Sequence, residues 1–314
     1  MRVVNLPAGH SARSVRLSRR SRVRSGRAIA GQGLFEAVGI AESNRDVERA
    51  AGCAPVWHDG RMAVVTVRYS DRPELWQRIA DLSSQVWPEY NLHADDTNAY
   101  WGRLYDDFPD FQFVLYDDQR DEVLAEGHTL PCAWDGTAAG LGPGIDHIIA
   151  AGFALHETGG TAHALAALAA EVIPEHRERG LSTVMLKAMA GLAASADLEH
   201  LVAPVRPSWK ERYPLAPIER YMHWTGRDGQ PFDPWIRVHL RLGGRVVAPV
   251  PHSMRITGSV ADWESWTEME YPESGEYVFP HGLATLRVDR EADSGLYWEP
   301  NVWIAHRAPS SVDV

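Results

Sequence analysis

The sequence is poor in cysteine and has no long apolar run, and both absences limit what the chain can be. The chain has 314 residues and 2 cysteines, Cys53 and Cys132. Two cysteines are too few for a disulfide framework or a four-thiolate zinc site. The alanine-rich stretch 162–170 is far shorter than the roughly 20 apolar residues of a membrane-spanning helix. We therefore expect a protein of a reducing compartment, the cytoplasm, with no membrane partner.

Positive charge is also in short supply, because the formal net charge is −11. Binding to nucleic acid without sequence preference depends on lysine and arginine that neutralise phosphates. The balance of charge therefore argues against a nucleic-acid partner and favours cationic or neutral ones. A chain with 45% hydrophobic and 23% charged residues has the composition of a globular protein.

The first 30 residues differ in composition from the rest, since they carry eight arginines and no acidic residue. They show no hydrophobic periodicity, so we predict a disordered extension over residues 1–61 and one domain over 62–314. Arg19 and Arg20 resemble a twin-arginine export pair, but charges and glycines interrupt the segment 21–33 where such a signal is apolar. A start at Met62, with a dispensable extension before it, is the alternative that we favour.

From Met62 onward, the pattern of apolar residues predicts alternating strands and helices. The early elements are a strand over 63–69, a helix from Leu75 to Val86, a helix over 98–108, and a hairpin of 111–116 with 122–131. A glycine-rich loop over 134–160 follows, with one short helix near 145–153. Further strands are expected over 253–260, 277–289 and 296–306. These elements predict an α/β protein with a mixed sheet.

The segment from Leu165 to Leu192 carries the most specific signal. An apolar run suited to a buried strand ends at Pro174, and a helix is predicted over 182–194. A strand-to-helix turn presents free backbone N–H groups and the positive end of the helix dipole, which together bind anions such as a diphosphate. Arg177, Gly180 and Ser182 suit that role, although an ordinary turn with solvated arginines has the same local composition.

The stretch 172–182, Val-Ile-Pro-Glu-His-Arg-Glu-Arg-Gly-Leu-Ser, resembles the acetyl-CoA motif of the GNAT N-acetyltransferase superfamily. The family pattern Arg/Gln-x-x-Gly-x-Gly/Ala places Arg177, Gly180 and Ser182 at its defined positions, with serine replacing glycine or alanine. The order of elements is similar from about 62 to about 307. The resemblance implies a GNAT-like fold with a splayed central mixed sheet flanked by helices, long insertions and a C-terminal β extension. It also implies acetyl-CoA as cofactor, bound by Val172, Ile173, Arg177, Glu178, Arg179, Gly180, Leu181 and Ser182.

The resemblance also implies a general acid for the departing thiolate, which in family members is often the tyrosine of a Tyr-x-x-x-Gly-Phe-like pattern. His239 stands at that position in the stretch 239–244, and an imidazole of ordinary pKa holds a proton that a thiolate can take. The alternative is a histidine that packs or caps on its helix. Tyr221 and Tyr213, from the segment between the fifth strand and this helix, are rival acids.

Attack by an amine further requires a group that accepts the amine's proton. Glu171 is the first candidate, because an acid within an apolar strand is desolvated and its pKa is raised. Glu126 on the preceding strand is another, with Asp146 or His147 from the long loop behind them. Glu171 facing solvent or paired with an arginine is the competing interpretation.

The acceptor pocket is expected from the insertions 134–160 and 209–234 and the first helices. Aromatic residues in the second insertion can wall a pocket or enclose a cation, or they can simply pack. The overall acidity favours a small-molecule amine, and nearby arginines allow it a carboxylate. We therefore expect an N-acetyltransferase that uses direct attack, with a longer acyl donor or a non-catalytic acyl-CoA sensor as alternatives. No metal-ligand spacing is present, and the sequence leaves the oligomeric state open.

Overall fold

A computed structural model of the chain describes residues 64–177 and 179–309, so the predicted extension 1–61 lies outside the described residues. A mixed 9-stranded sheet forms its centre, in the order β1-β2-β3-β4-β5-β9-β8-β7, with β6 paired to β9. The strands are β1 Val64–Arg68, β2 Gln112–Asp117, β3 Glu122–Cys132, β4 Ala164–Val172, β5 His200–Val205, β6 Arg245–Gly258, β7 Gly275–Tyr277, β8 Leu286–Asp289 and β9 Ser294–Arg307.

The α-helices lie on both faces of this sheet. They are α1 Leu82–Val86, α2 Asn98–Trp101, α3 Leu104–Asp107, α4 Ile145–Glu157, α5 Leu181–Ser195, α6 Ile218–Tyr221, α7 Pro234–Arg241 and α8 Val260–Thr267. Among residues 64–177 and 179–309, none of the helices combines the length and the apolar character needed to cross a membrane.

The two predicted N-terminal helices are each broken into shorter pieces. A 3-10 helix, Pro73–Arg78, precedes α1 where one continuous helix was expected. Leu75, Ile79 and Leu82 are all buried, so the apolar spacing identified core-facing side chains correctly, although the helix is interrupted between them. In the second case Gly102 separates α2 from α3. The prediction of continuous helices was wrong here, because apolar periodicity reports which side chains face the core and not whether hydrogen bonding is continuous.

Strands β4 and β5 are the parallel pair at the middle of the sheet, and they separate along their length. Their pairing covers Ala164–Ala166 against His200–Val202 and then stops, although both strands continue. The register of β4 against β3 shifts between the pairs His128–Ala169 and Thr129–Ala167, which leaves Leu168 as an extra residue. A bulge of this kind bends its strand. The bend turns β4 away from β5 and opens a cleft, so the predicted splayed sheet is confirmed.

Opposite faces of β4 pack against different helices. Leu165 and Ala167 lie in one cluster with Met185 and Leu192 of α5 and Ile236 of α7. On the other face, Ala164, Ala166 and Leu168 pack with α3 and α4, through residues that include Leu104, Ile149 and Phe153. Alternate side chains of a strand point to opposite faces, so this one apolar run serves both layers. The helices α5 and α7 therefore stand over the face from which the cleft opens.

The C-terminal region forms the β extension that the sequence predicted, with two differences. Strand β6 begins at Arg245 rather than 253, and the predicted strand 277–289 is two short strands, β7 and β8. Helix α8 was not predicted. Ser259 is its N-cap residue. The Ser259 hydroxyl accepts from the N–H of Asp262, and the Asp262 carboxylate accepts from the N–H of Ser259. This capping box is a sequence signal for a helix start, and it lies at the end of the stretch interpreted as a strand.

Candidate active site

The cleft between β4 and β5 is the first of two connected cavities, with a volume of about 520 Å³. Its walls include Ala167–Ala170 and Val172 of β4, Ala203–Val205 of β5, and Trp235, Val238 and His239 of α7. The N–H of Ile173 donates to the carbonyl of Leu124 on β3. Because N–H groups alternate between the two edges of a strand, those of Val172 and Ala170 point towards the open edge. An extended ligand can therefore pair with this edge as an added strand does.

The N-terminus of α5 lies at the mouth of this cleft. Gly180 is its N-cap residue, with a φ of 75°, and no side chain caps the helix. The first N–H groups of a helix have no partner within it, so they remain available to an anion. Arg177 and Ser182 both line the cleft. A Cβ at Gly180 would meet nothing within 4 Å, so the space beside the turn is open. These features fit the diphosphate of coenzyme A.

The other predicted cofactor residues occupy different positions. Leu181 is buried in the core beneath α5, and Arg179 is exposed outside the cleft lining. Glu178 lies outside the described residues. Ile173 lies outside the cleft lining, and its N–H and its carbonyl are hydrogen-bonded to Leu124 and His176. Val172, which was also predicted, lines the cleft with its N–H towards the open edge.

His239 of α7 lies in the cleft wall and is 1% exposed. Its Nδ1 is 2.9 Å from Nε2 of His306, and its own Nε2 is buried without a partner. Burial, with His306 nearby, lowers the pKa of His239 to about 3. The expectation of an ordinary pKa is therefore corrected, because this imidazole is neutral near pH 7. It can offer an N–H hydrogen bond to a sulfur but not the proton of an imidazolium.

Tyr221 does not reach either cavity. Its hydroxyl donates to Asp233 at 2.9 Å, and burial raises its pKa. The ring belongs to an aromatic cluster formed by Trp209, Tyr213, Tyr221, Trp224 and Phe232. Asp233 also accepts from the N–H groups of Trp235 and Ile236, which caps α7. The second insertion thus packs on itself and anchors the helix that carries His239.

The second cavity, which we call the acceptor pocket, has a volume of about 240 Å³. The N-terminal segments contribute its aromatic and polar wall, and β9 contributes Glu299 and Asn301. It shares five lining residues with the cleft, namely Trp87, Leu168, Ala169, Pro204 and Arg206. The first helices were expected here, but the insertion 209–234 supplies none of the lining. Alternating polar residues at 297, 299 and 301 were a signal in the sequence for a polar face of this strand.

Glu171 lies at the junction of the acceptor pocket with β4, and its residue is 0% exposed. It accepts from Nε1 of Trp87 at 2.7 Å and from Oγ of Ser83 at 3.0 Å. Burial raises its pKa above the ordinary value, against the opposing effect of His128. Glu171 is therefore the carboxylate that combines contact with the pocket and a raised pKa. Within the described residues it forms no ion pair with an arginine, in contrast to the competing interpretation.

The alternative bases lie behind Glu171 or away from it. Glu126 is opposite Glu171 in the pairing of β3 with β4, and its carboxylate accepts from Tyr105 at 2.8 Å. Asp146 accepts from Thr97 and from the N–H of Arg255, and neither Asp146 nor His147 is in the pocket lining. Glu126, His128 and Glu171 each have one nitrogen or oxygen atom that could ligate a metal ion, and these three atoms lie within 4.8 Å of one another.

The charged groups of the acceptor pocket give it an acidic character. Arg206 forms an ion pair with Glu299 and also donates to the carbonyl of His281 at 2.9 Å. Its charge is therefore neutralised, while Glu171 has no such arginine. Arg237, an arginine near the second insertion, donates to the carbonyls of Pro231 and Phe232 and does not line the pocket. An acidic pocket of this kind favours a cationic amine.

The chain is similar to several known proteins. No family model matches the chain. The arginine N-acetyltransferase avaD of Aspergillus versicolor is 29% identical over 266 residues, which cover 75% of this chain and 91% of that protein. The loading GNATL domain of CurA from Lyngbya majuscula has a TM-score of 0.47 at 18% identity, covering 79% of this chain and 98% of that one. The GNAT-like decarboxylase GphF in complex with isobutyryl-CoA also has a TM-score of 0.47, at 21% identity, covering 78% of this chain and 99% of that one.

The splayed pair of strands, the uncapped helix behind Gly180 and the sequence relative together define the class of protein. The chain has the fold of the GNAT N-acetyltransferases, and it is an acyltransferase that acts on amines.

Proposed function

We propose that the chain transfers an acetyl group from acetyl-CoA directly to an amine nitrogen of a small cationic molecule. The observation that carries this proposal is the connection between the two cavities. The cleft between β4 and β5 opens beside Ala169 into the acceptor pocket that holds Glu171. A thioester lying in the cleft and an amine lying in the pocket would thus meet without a covalent enzyme intermediate.

Arginine and close analogues of arginine are the acceptors that we propose. The relative from Aspergillus versicolor bears the name arginine N-acetyltransferase. Glu171 and the indole rings of Trp87 and Trp101 in the pocket wall support a cationic ligand, because aromatic faces and carboxylates both attract cations. A carboxylate on the acceptor has a candidate donor in Nδ2 of Asn91, which is buried without a partner in the same wall.

Three groups of the chain have distinct tasks in this reaction. Glu171 accepts the proton that the amine loses as its nitrogen bonds to the acyl carbon. The N–H of Val172, at the open edge of β4, stabilises negative charge on the carbonyl oxygen. Nε2 of His239 offers a hydrogen bond to the sulfur as the carbon–sulfur bond breaks, and the thiolate takes its proton from water. Acetyl-CoA supplies the activated acyl group.

Thiol release by the purified protein tests the proposal. Acetyl-CoA is combined separately with arginine, agmatine, arginine methyl ester, lysine, spermidine and an amino sugar. We expect turnover with arginine, and agmatine and the ester report whether the carboxylate is recognised. If no amine releases thiol while calorimetry still detects acetyl-CoA binding, the chain is a non-catalytic sensor and the proposal is wrong.

A longer acyl donor is the second candidate, and one observation favours it. The cleft wall contains the small side chains of Ala167, Ala169, Ala170 and Ala203, which leave width beside the thioester position. The same assay with butyryl-CoA and hexanoyl-CoA distinguishes the two donors. A higher kcat/KM for either long donor than for acetyl-CoA would replace acetyl transfer by transfer of a longer acyl group.

A further inference from the structure

Glu126, His128 and Glu171 form a buried cluster behind the acceptor pocket. Glu126 and His128 are two residues apart on β3, so both side chains lie on one face, and Glu171 is opposite Glu126 on β4. The three residues are 4%, 0% and 0% exposed. Nε2 of His128 is 3.3 Å from Oε1 of Glu126. Of the three, Glu171 lines the pocket, so the other two act on a ligand only through it.

An oxygen of Glu126 and an oxygen of Glu171 lie within 4.8 Å of each other. Two ionised carboxylates this close in a buried site repel each other unless a positive charge lies near both. Hydrogen-bond donors surround both of them: Trp76 and Tyr105 donate to Glu126, while Trp87 and Ser83 donate to Glu171. These donors come from the N-terminal segments that cover the cluster. Such an arrangement stabilises ionised carboxylates, since each donor favours the charged form.

His128 is the group that can supply the positive charge. Its Nε2 faces the carboxylate of Glu126, its Nδ1 is buried without a hydrogen-bond partner, and the centre of the Trp101 ring lies 4.9 Å from the centre of its own ring. Burial lowers the pKa of His128, but the charge of Glu126 more than offsets this and leaves the pKa raised. Burial raises the pKa of Glu126, and the opposing effect of His128 leaves it lowered. These directions and the 3.3 Å contact between Nε2 of His128 and Oε1 of Glu126 favour an ionised pair.

The remaining titratable groups around the cluster do not change this balance. Tyr105 is the phenol that faces Glu126, and burial raises its pKa, so it stays a neutral donor. The pocket's other charged groups, Arg206 and Glu299, neutralise each other. The segments carrying Trp76, Ser83, Trp87 and Trp101 contribute uncharged side chains. Glu171 thus has one positive neighbour, His128, and one negative neighbour, Glu126.

We propose that His128, held as an imidazolium by Glu126, is a positioning residue that keeps Glu171 ionised and ready to accept the proton of the substrate amine. The inference rests on the proposed function. The proton moves from the substrate nitrogen to an oxygen of Glu171 and later leaves through the open pocket, while His128 keeps its own proton throughout. The cluster carries one net negative charge before the transfer, which also attracts a cationic acceptor.

The test is the pH dependence of kcat/KM for His128→Asn. Without the positive charge the pKa of Glu171 rises, so the acidic limb of the profile moves upward by about 2 to 3 pH units, as one charge within 4.8 Å gives at an effective dielectric constant of about 20. The substrate's own titration is the same for both proteins. His223→Asn, a change at an exposed histidine, is the control and leaves the profile unchanged. An unmoved limb in a folded His128→Asn protein would overturn the proposal.

A second measurement uses the unmodified protein and does not depend on turnover. Nitrogen-15 NMR of labelled histidine should show one ring that stays protonated on both nitrogens above pH 8, identified by its proximity to Trp101. A neutral ring at pH 7 contradicts the inference even if thiol release succeeds. A charged ring without thiol release contradicts the proposed function instead. Activity that chelators remove and zinc or manganese restores would mean that the cluster binds a metal, which also overturns the inference.

Discussion

Glu171 and His239 are both buried ionisable residues, but burial has opposite consequences for their chemistry. Burial favours the neutral form of each side chain. For Glu171 that raises the pKa towards the range in which a carboxylate is an effective base. For His239 it lowers the pKa to about 3 and removes the proton that an acid would deliver. The sequence supports the choice of both residues, but the protonation state of His239 depends on its burial beside His306 of β9.

Replacing Glu171 with glutamine should separate catalysis from cofactor binding. The amide keeps the shape but cannot accept a proton, so we expect kcat to fall by about 10²-fold to 10⁴-fold. Affinity for acetyl-CoA in calorimetry should stay within about twofold, because the diphosphate turn is a separate part of the cleft. Glu270→Gln, at an exposed site, is the matched control. Full activity of the Glu171→Gln protein would remove this residue from the mechanism.

His239 also predicts how stability depends on pH. Its folded pKa of about 3 lies below the ordinary 6.5, so the unfolded chain binds more protons in between. This residue therefore costs about 1.4 kcal/mol of unfolding free energy for each pH unit below 6.5. In urea titrations at pH 7 and pH 5, His239→Phe should lose less stability between the two values than the unmodified protein. His223→Phe serves as control, and equal losses in all three proteins would contradict the prediction.

At the scale of elements, the fifth helix and the strand before it could be predicted closely from sequence. The apolar run, Pro174 and Gly180 mark β4, its end and the start of α5 within one or two residues. These signals are local. Strand β6 was predicted only in its second half, because Pro249 and Pro251 interrupt its first half and favour a loop. The first half is a strand because it pairs with β9, and the paired residues are about 50 apart in the sequence.

The turn before α5 supports a prediction about cofactor affinity. Arg177→Glu should weaken acetyl-CoA binding at least about tenfold, because it places negative charge beside the diphosphate. Adding Gly180→Asp should abolish binding; aspartate is among the residues that tolerate a left-handed backbone, so charge is the main cause. Calorimetry measures both.

Arg227→Glu makes the same change of charge at an exposed turn residue outside the cleft and should bind normally. Unchanged affinity in the double variant would show that the turn is not the diphosphate site.

At the scale of the whole molecule, the sequence predicted the class of fold and the cleft, but not the acceptor pocket. The motif at 172–182 marks the cleft because all its parts are consecutive in the chain. The acceptor pocket draws Trp87, Glu171 and Asn301 from three distant segments, and no local pattern brings them together. The sequence interpretation named Glu126 but not His128, although two residues that are two apart on a strand share one face.

The domain boundary gives a prediction at this scale. All residues that line the cleft and the acceptor pocket lie between Ser83 and Asn301. A chain that starts at Met62 should therefore keep the Tm, the acetyl-CoA affinity and the kcat of the full-length protein. Thermal unfolding, calorimetry and thiol release measure the three quantities. A large loss in any one of them would show that residues 1–61 are part of the working domain.

The strand partners along one edge of β9 change along its length. Its C-terminal half pairs with β5, its first residues pair with β8, and between them Tyr297–Asn301 has no strand partner on that side. The gap is where Glu299 and Asn301 reach the acceptor pocket, whereas the diphosphate turn belongs to a different part of the sheet. Substitutions in the segment Tyr297–Asn301 can therefore change which acceptor is bound while recognition of the acyl carrier stays constant. This segment is a suitable place to redesign acceptor selectivity.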